Sequence, residues 1–272
     1  MEVTSVEHTD DYASLRPVAA AIDRIILTIL VGVSLISVAA SRAGEVVEPH
    51  SSAVSSPDSE NEFPITLGTF STTLIGSLAA RTENLRLAAA AMDGALLLPG
   101  DVLSFNQRVG PRTREHGYQP APVILHETRQ LQPGGGVCQV SSTIFVAALL
   151  SGLSVEERHR HSSPVDYIAL GEDATIAFGA KDLKIRNDLD QRLRLRVEIV
   201  GSTLTARFEG EAPAGAFELE TEEREIPGDS LEGVTPGREI EVFRVRHGGG
   251  GEVTRDLLHR DVYPPSRTRS AR

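Results

Sequence analysis

An uncharged apolar run, IILTILVGVSLISVAA from Ile25 to Ala40, is followed at once by a stretch that cannot join any core. Residues 41–62 include SSAVSSPDSENE, rich in Ser, Pro and acidic residues and poor in apolar ones, which is the composition of a disordered tether. The folding unit therefore begins near Phe63. The apolar run is slightly short of the roughly 17–25 residues of a spanning helix. Extending it back to Pro17 lengthens it at the expense of including Asp23 and Arg24. Arg16 and Arg24 precede the run, while Glu45, Glu48, Asp58, Glu60 and Glu62 follow it, so the positive-inside tendency favours a cytoplasmic N-terminus and an exported body. The expected order is a cytoplasmic tail 1–16, a single-pass transmembrane signal anchor 17–40, a tether 41–62, a main domain 63–210 and a C-terminal β module 211–272. Val38-Ala39-Ala40 also has the small residues of a signal-peptidase site, and cleavage after Ala40 would release a secreted body.

Export gives the only cysteine, Cys138, its meaning. Outside the cytoplasm thiols pair, and this one has no partner in its own chain. It is buried and inert, paired with another molecule, or kept free for chemistry. Its setting is GGGVCQVSST, Gly134 to Thr143. After the glycines, Val140, Ile144, Ala147, Ala148 and Leu150 fall at helical spacing, with Gly152 as the stop. A cysteine in the first turn meets free N–H groups and the positive end of the helix dipole, which stabilise a thiolate. Gly135 and Gly136 let a substrate approach the sulfur and shape an oxyanion region.

The rest of the body reads as α+β: a mixed or antiparallel sheet with a central helix carrying the cysteine at its N-terminus, plus the small β module. Phe63 to Thr73 alternates as a strand, and a helix begins near Arg81 with Thr82 as N-cap and Gly94 as stop. Leu96 to Leu98 reads as a short buried strand and Ser104 to Gly117 as a polar surface loop. Within and beside that loop Asp101, Asn106, Arg112 and Arg114 can bind polar groups of a glycan or peptide, or simply form a solvated rim. LRLRVEIV and TLTARFEG form a hairpin, and EIEVFRVRH and EVTRDLLHRDVY a second one around Gly248–Gly251.

From Leu153 the chain reads as a strand on which His159 and His161 share a face, with Asp173 opening the strand after it. Cysteine at a helix start, then histidine, then aspartate is the order a nucleophilic site needs, with the imidazole taking the thiol proton and the carboxylate orienting the ring. Cys138, His161 and Asp173 are the candidate catalytic residues, Asp173 serving equally well as a turn cap. Gln139 is a candidate oxyanion donor or a cover for the helix start, and His159 a second imidazole near the site. One Cys and two His make a zinc-type set, but imidazoles one residue apart do not match structural spacing and no clear fourth ligand follows, so no metal or cofactor is expected. The net charge of −11 gives nucleic acid no electrostatic support.

With LGTFSTTL, RTENLRLAAAAMDGALLLPGDVLSFN, VGPRTREHGYQPAPVI, GGGVCQVSSTIFVAALLSGLSVEERHRHSSPVDY and GEDATIAFGAKDLKIRN in view, the chain resembles the VanW family. The likeness runs from Gly68 to Asn187 and implies a protein of the bacterial cell envelope. The approach LHETRQLQPGGG departs from the tighter turn of many relatives. PGREIEVFRVRH with EVTRDLLHRDVYPP is similar to a G5-type β module. The run from Gly136 through His161 to Asp173 is also similar to the transglutaminase-like and papain-like core, which implies a cysteine acyl transferase or amidohydrolase acting on peptidoglycan peptides. The competing expectation is a non-catalytic module that binds or scaffolds cell-wall polymer, with the glycines and Cys138 purely architectural.

Overall fold

The computed structural model describes residues 62–74, 78–125, 128–228, 234–248 and 251–267. The expected tail and anchor, and the tether up to residue 61, lie outside the described residues. Among the described residues no helix is long and apolar enough to cross a membrane.

Alternating sequence builds the largest sheet. In β8 (Leu193–Val200) Leu193, Leu195 and Val197 turn inward, and in β9 (Thr203–Gly210) Leu204, Ala206 and Phe208 do the same. These strands form the expected hairpin. With β1 (Ile65–Thr73) and β2 (Ala95–Leu97) they make an antiparallel sheet of order β1-β9-β8-β2. Helix α1 (Ala79–Met92) packs Leu85, Ala88, Ala89 and Met92 toward this sheet. It starts before Thr82; Leu78 is its N-cap and contributes no side-chain hydrogen bond.

Helix α3 (Val137–Leu150) has almost no polar face because it has almost no exposed face. Val137 and every residue from Gln139 to Leu149 are buried, between β1 and β9 on one side and β10 (Ala216–Ile226) on another. Its buried hydroxyls fold back onto the helix: Ser142 donates to the Cys138 carbonyl at 2.7 Å and Thr143 to the Gln139 carbonyl at 2.7 Å.

A smaller antiparallel sheet has β7 (Lys184–Arg186) between β3 (Val102–Ser104) and β6 (Ser154–Glu157). The stretch expected to be a surface loop from Ser104 opens instead with a short helix, α2 (Phe105–Val109), because Phe105 is an anchor in the core and Ser104 caps the turn by accepting from Gln107 N at 3.1 Å. A hairpin of β4 (Pro120–Leu125) and β5 (Thr128–Pro133) delivers the chain to the glycine turn before α3. The C-terminal region is more than a hairpin. β10 joins β12 (Gly237–His247) and β13 (Val253–Tyr263) in an antiparallel sheet of order β10-β12-β13, flanked by the two-residue pair β11 (Val234–Thr235) and β14 (Ser266–Arg267). The architecture is α+β with every strand pairing antiparallel, so the mixed-sheet alternative does not apply.

Two expected strands are largely absent, the one from Leu153 onward and the one expected to open at Asp173, where only an isolated bridge of Ala177 with Lys181 forms. β6 stops at Glu157, and the chain from Arg158 onward runs irregularly. There the Arg158 guanidinium turns into the protein and pairs with two carboxylates, Asp173 and Asp261.

Candidate active site

The turn before α3 is held from three sides. Gly136, the N-cap, has φ of +104°, a conformation that side chains other than glycine rarely adopt. Gly135 lies so close to β4 that a Cβ there would stand 2.4 Å from the Ala121 carbonyl oxygen. Asn84 of α1, fully buried, donates to the carbonyls of Gln119 (2.8 Å) and Gly135 (3.0 Å) and accepts from Gln119 N (2.7 Å). Helix, hairpin and glycine turn are thereby fixed to one another, and Cys138 follows in the first turn of α3.

The irregular chain after Glu157 brings His161 and Asp173 to that cysteine. His161 Nδ1 lies 2.5 Å from Asp173 Oδ2, and the same carboxylate oxygen accepts from the His161 backbone N at 2.6 Å. With Nδ1 taken, the other ring nitrogen is the one left to serve the thiol, and the two groups are near enough for each to shift the other's acidity. Thr175 Oγ1 stands 3.6 Å from the sulfur.

The electrostatics follow from this geometry. Burial by itself would raise the thiol pKa, but the hydrogen bond and positive charge of His161, helped by the Ile176 backbone and the Thr175 hydroxyl, bring it down to about 7. Burial would lower His161; its hydrogen bonds to Asp173 and Cys138, and their charges, raise it to about 9. Asp173 is pushed up by burial and pulled below the ordinary carboxylate range by His161 and Arg158. Between about pH 7 and 9 the pair is a thiolate and an imidazolium.

Other residues stand differently. Gln139 is committed: its amide nitrogen donates to Thr72 Oγ1 and Thr73 O, both at 3.1 Å, and its oxygen accepts from Arg81 Nη2 at 2.7 Å. No donor is left on that side chain for an oxyanion. His159 turns to Glu157, with Nε2 3.0 Å from Oε1, because the chain has left the strand on which the two histidines were expected to share a face. Gly135 N is bonded to the Gln132 carbonyl at 3.3 Å, whereas the amides of Gly136 and Cys138 have no acceptor among the described residues. Those two amides, with the helix dipole behind them, are the donors the turn offers. Among the described residues no group of three or more His, Cys, Asp or Glu is arranged to hold a metal ion.

Several contributors escaped the sequence reading. Asn84 had a signal: it interrupts the apolar stripe of α1 at Leu85, Ala88, Ala89 and Met92, and a polar residue in such a stripe needs buried partners. Arg158 and Asp261 had none, being far apart in the chain. Arg158 donates to Asp261 through two nitrogens, at 2.8 and 2.7 Å, and to Asp173 at 3.2 Å and 2.7 Å, the latter to its carbonyl. Tyr167 packs edge-on to His161 with ring centroids 6.5 Å apart. Its buried hydroxyl has no well-formed hydrogen bond among the described residues; the neighbouring Ser142 hydroxyl is engaged with Cys138 O and Ala174 N.

A family model described as VanW like protein matches residues 80–209, a span that holds Asn84, Cys138, His161 and Asp173. Residues 80–209 form a VanW-like domain. It is 38% identical over 138 residues to YoaR, an uncharacterised protein of Bacillus subtilis, covering 51% of this chain and 46% of that one. It is 27% identical over 182 residues to the vancomycin B-type resistance protein VanW of Enterococcus faecalis, covering 65% and 66%. The chain thus spans just under half the length of the first of these curated relatives and about two thirds of the second. No solved structure matches the chain. The VanW-matched span ends before Asp261, so part of what fixes the site's geometry lies outside it.

Proposed function

We propose that this chain is a membrane-anchored, extracytoplasmic cysteine acyl transferase or amidohydrolase that acts on peptides of the cell wall. The observation that carries the reading is the buried His161–Asp173 pair gathered beside Cys138 in the first turn of α3, a setting that draws the thiol pKa down to about 7. The order of the three residues, similar to that of transglutaminase-like enzymes, supports the chemistry. The anchor expected over residues 17–40 and the resistance function named for the enterococcal relative support an envelope setting.

In this mechanism the Cys138 thiolate attacks an amide carbonyl, and the oxyanion is received by the Gly136 and Cys138 amides. His161, as imidazolium, gives its proton to the departing nitrogen while the C–N bond breaks and a thioester forms. Water or an amine then loses a proton to His161 as it attacks the thioester, and Cys138 leaves as the thiolate. Asp173 keeps the ring in the required tautomer throughout.

The test is the alkylation rate of Cys138 against pH in the full-length protein. A rate that titrates near pH 7 and collapses toward that of an ordinary thiol in His161→Ala is the expected result. A profile that rises only near the free-thiol value of about 8.5 would overturn the enzyme reading and leave a cell-wall-binding module.

A further inference from the structure

Two cations flank the glycine turn without a carboxylate to answer them. Arg81, in the first turn of α1, lies against Gly136: a Cβ there would be 2.8 Å from its Nη1. Its hydrogen bond goes to a neutral acceptor, Gln139 Oε1. Arg112 lies against Gly134, where a Cβ would meet the Arg112 Cβ at 2.7 Å. Its Nη1 donates to Asn106 Oδ1 at 2.7 Å and the Gly110 carbonyl at 3.0 Å, again neutral acceptors. Among the described residues neither guanidinium has a carboxylate within ion-pair distance, although the chain as a whole carries a net charge of −11. Asp182, the carboxylate nearest in influence to Arg112, is occupied by Ser104 Oγ and the amides of Asn106 and Leu183.

Both side chains are partly withdrawn from water, which disfavours an unanswered charge, and both feel the negative charge of Cys138. One thiolate cannot satisfy two guanidinium forks as well as His161. The other ion pairs of the site are closed: His161 with Asp173, and Arg158 with Asp261. Arg112 also lies over the Phe178 ring, 5.7 Å from its centroid. Phe178 and Asn106 line a cleft of about 580 Å³, with Lys181 as a further cation on its wall. The cleft does not reach the thiol itself; its link to the site is Arg112, whose guanidinium rests on Phe178 and Asn106 of its wall, and that wall balances Lys181 and Lys184 against Glu157 and Asp182.

Resting on the reading of Cys138 as nucleophile, we propose that Arg81 and Arg112 form an anion subsite for the acyl donor, whose scissile amide lies within one residue of a free carboxylate. A carboxylate matches the planar fork of a guanidinium, and a peptide can present one beside an amide either at its C-terminus or on an acidic side chain. The subsite would select such donors over uncharged peptides of the same size.

The experiment compares iodoacetate with iodoacetamide on the full-length chain. The two reagents are nearly the same shape, one carries a carboxylate, and each forms an Sγ–C bond as iodide leaves. The expected iodoacetate-to-iodoacetamide rate ratio exceeds that of glutathione under the same conditions by at least about tenfold, the worth of one charge-assisted hydrogen bond. Arg112→Gln and Arg81→Gln should each return the ratio toward the glutathione value. Fast iodoacetamide alkylation near pH 7 with no preference for iodoacetate overturns the anion subsite while leaving the nucleophile intact. Slow reaction with both reagents overturns the nucleophile itself. An arm without substitutions guards against misfolded variants: N-acetylglycine should slow iodoacetate alkylation of the unaltered protein more than N-acetylglycinamide does, and equal effects would count against the subsite.

Discussion

Asp261, on β13, holds Arg158 through two hydrogen bonds of 2.8 and 2.7 Å, and the same guanidinium reaches Asp173 at 3.2 Å. The C-terminal sheet is thus one step removed from the carboxylate that orients His161. Other contacts from that sheet brace the same loop: His259 Nε2 lies 2.8 Å from the Gly171 carbonyl, and Arg160 lies over Tyr263 at 4.5 Å.

Removing the Asp261 carboxylate is therefore expected to act at two levels. Asp261→Ala breaks a buried pair and should cost about 3–5 kcal/mol in denaturant unfolding. Asp261→Asn keeps the shape and leaves Arg158 to Asp173 alone, which weakens the hold of Asp173 on His161. The pH profile of Cys138 alkylation should then move upward from about 7. A purely structural role for Asp261 would lower stability and leave that profile where it was.

The thiol and imidazole titrate as a pair, and the sign of each contribution can be stated. Cys138, depressed to about 7, adds stability that is present above its ordinary value and lost as pH falls through about 7. His161, raised to about 9, adds stability that is present below its ordinary value and lost as pH rises through about 9. Across pH 7 to 9 the first grows as the second fades, so the pair contributes no net slope and the melting temperature should be nearly level there. Alkylation should meanwhile reach its plateau. A slope approaching 1.4 kcal/mol per pH unit in that window would mean that folding shifts only one of the two groups.

Asn84→Ala should damage the site from a distance. Three hydrogen bonds to Gln119 and Gly135 vanish, and their buried partners are left unsatisfied, at a cost of about 1–3 kcal/mol for each group stranded from water. The glycine turn is then free to shift, and Cys138 should alkylate more slowly at pH 7 even where the protein remains folded. Unfolding curves and alkylation rates on the same preparation separate the two effects.

Much was legible in the sequence because it is local. The alternation in LRLRVEIV and TLTARFEG specified a hairpin, since period two can bury only one face of a strand. The glycines before Cys138 announced a turn that side chains would obstruct, and the Cys, His, Asp order suggested three groups that do meet. The helical spacing after Cys138 fixed where α3 runs, but not that nearly its whole circumference would be covered.

What the sequence determined by itself was the β8-β9 hairpin, the two long helices, the position of the lone thiol at a helix start and the charge balance of the chain. Only the tertiary structure decided which histidine serves the thiol. His161 meets Asp173 while His159 turns to Glu157, and beside them Arg158 reaches Asp261, a pairing across 103 positions that no periodicity encodes. It also decided that Gln139 is spent on packing, and that Arg81 and Arg112 converge on Gly136 and Gly134 without a carboxylate between them. Local pattern sets backbone conformation; long-range burial decides which charges find partners, and the acidity of the thiol depends on that second kind of information.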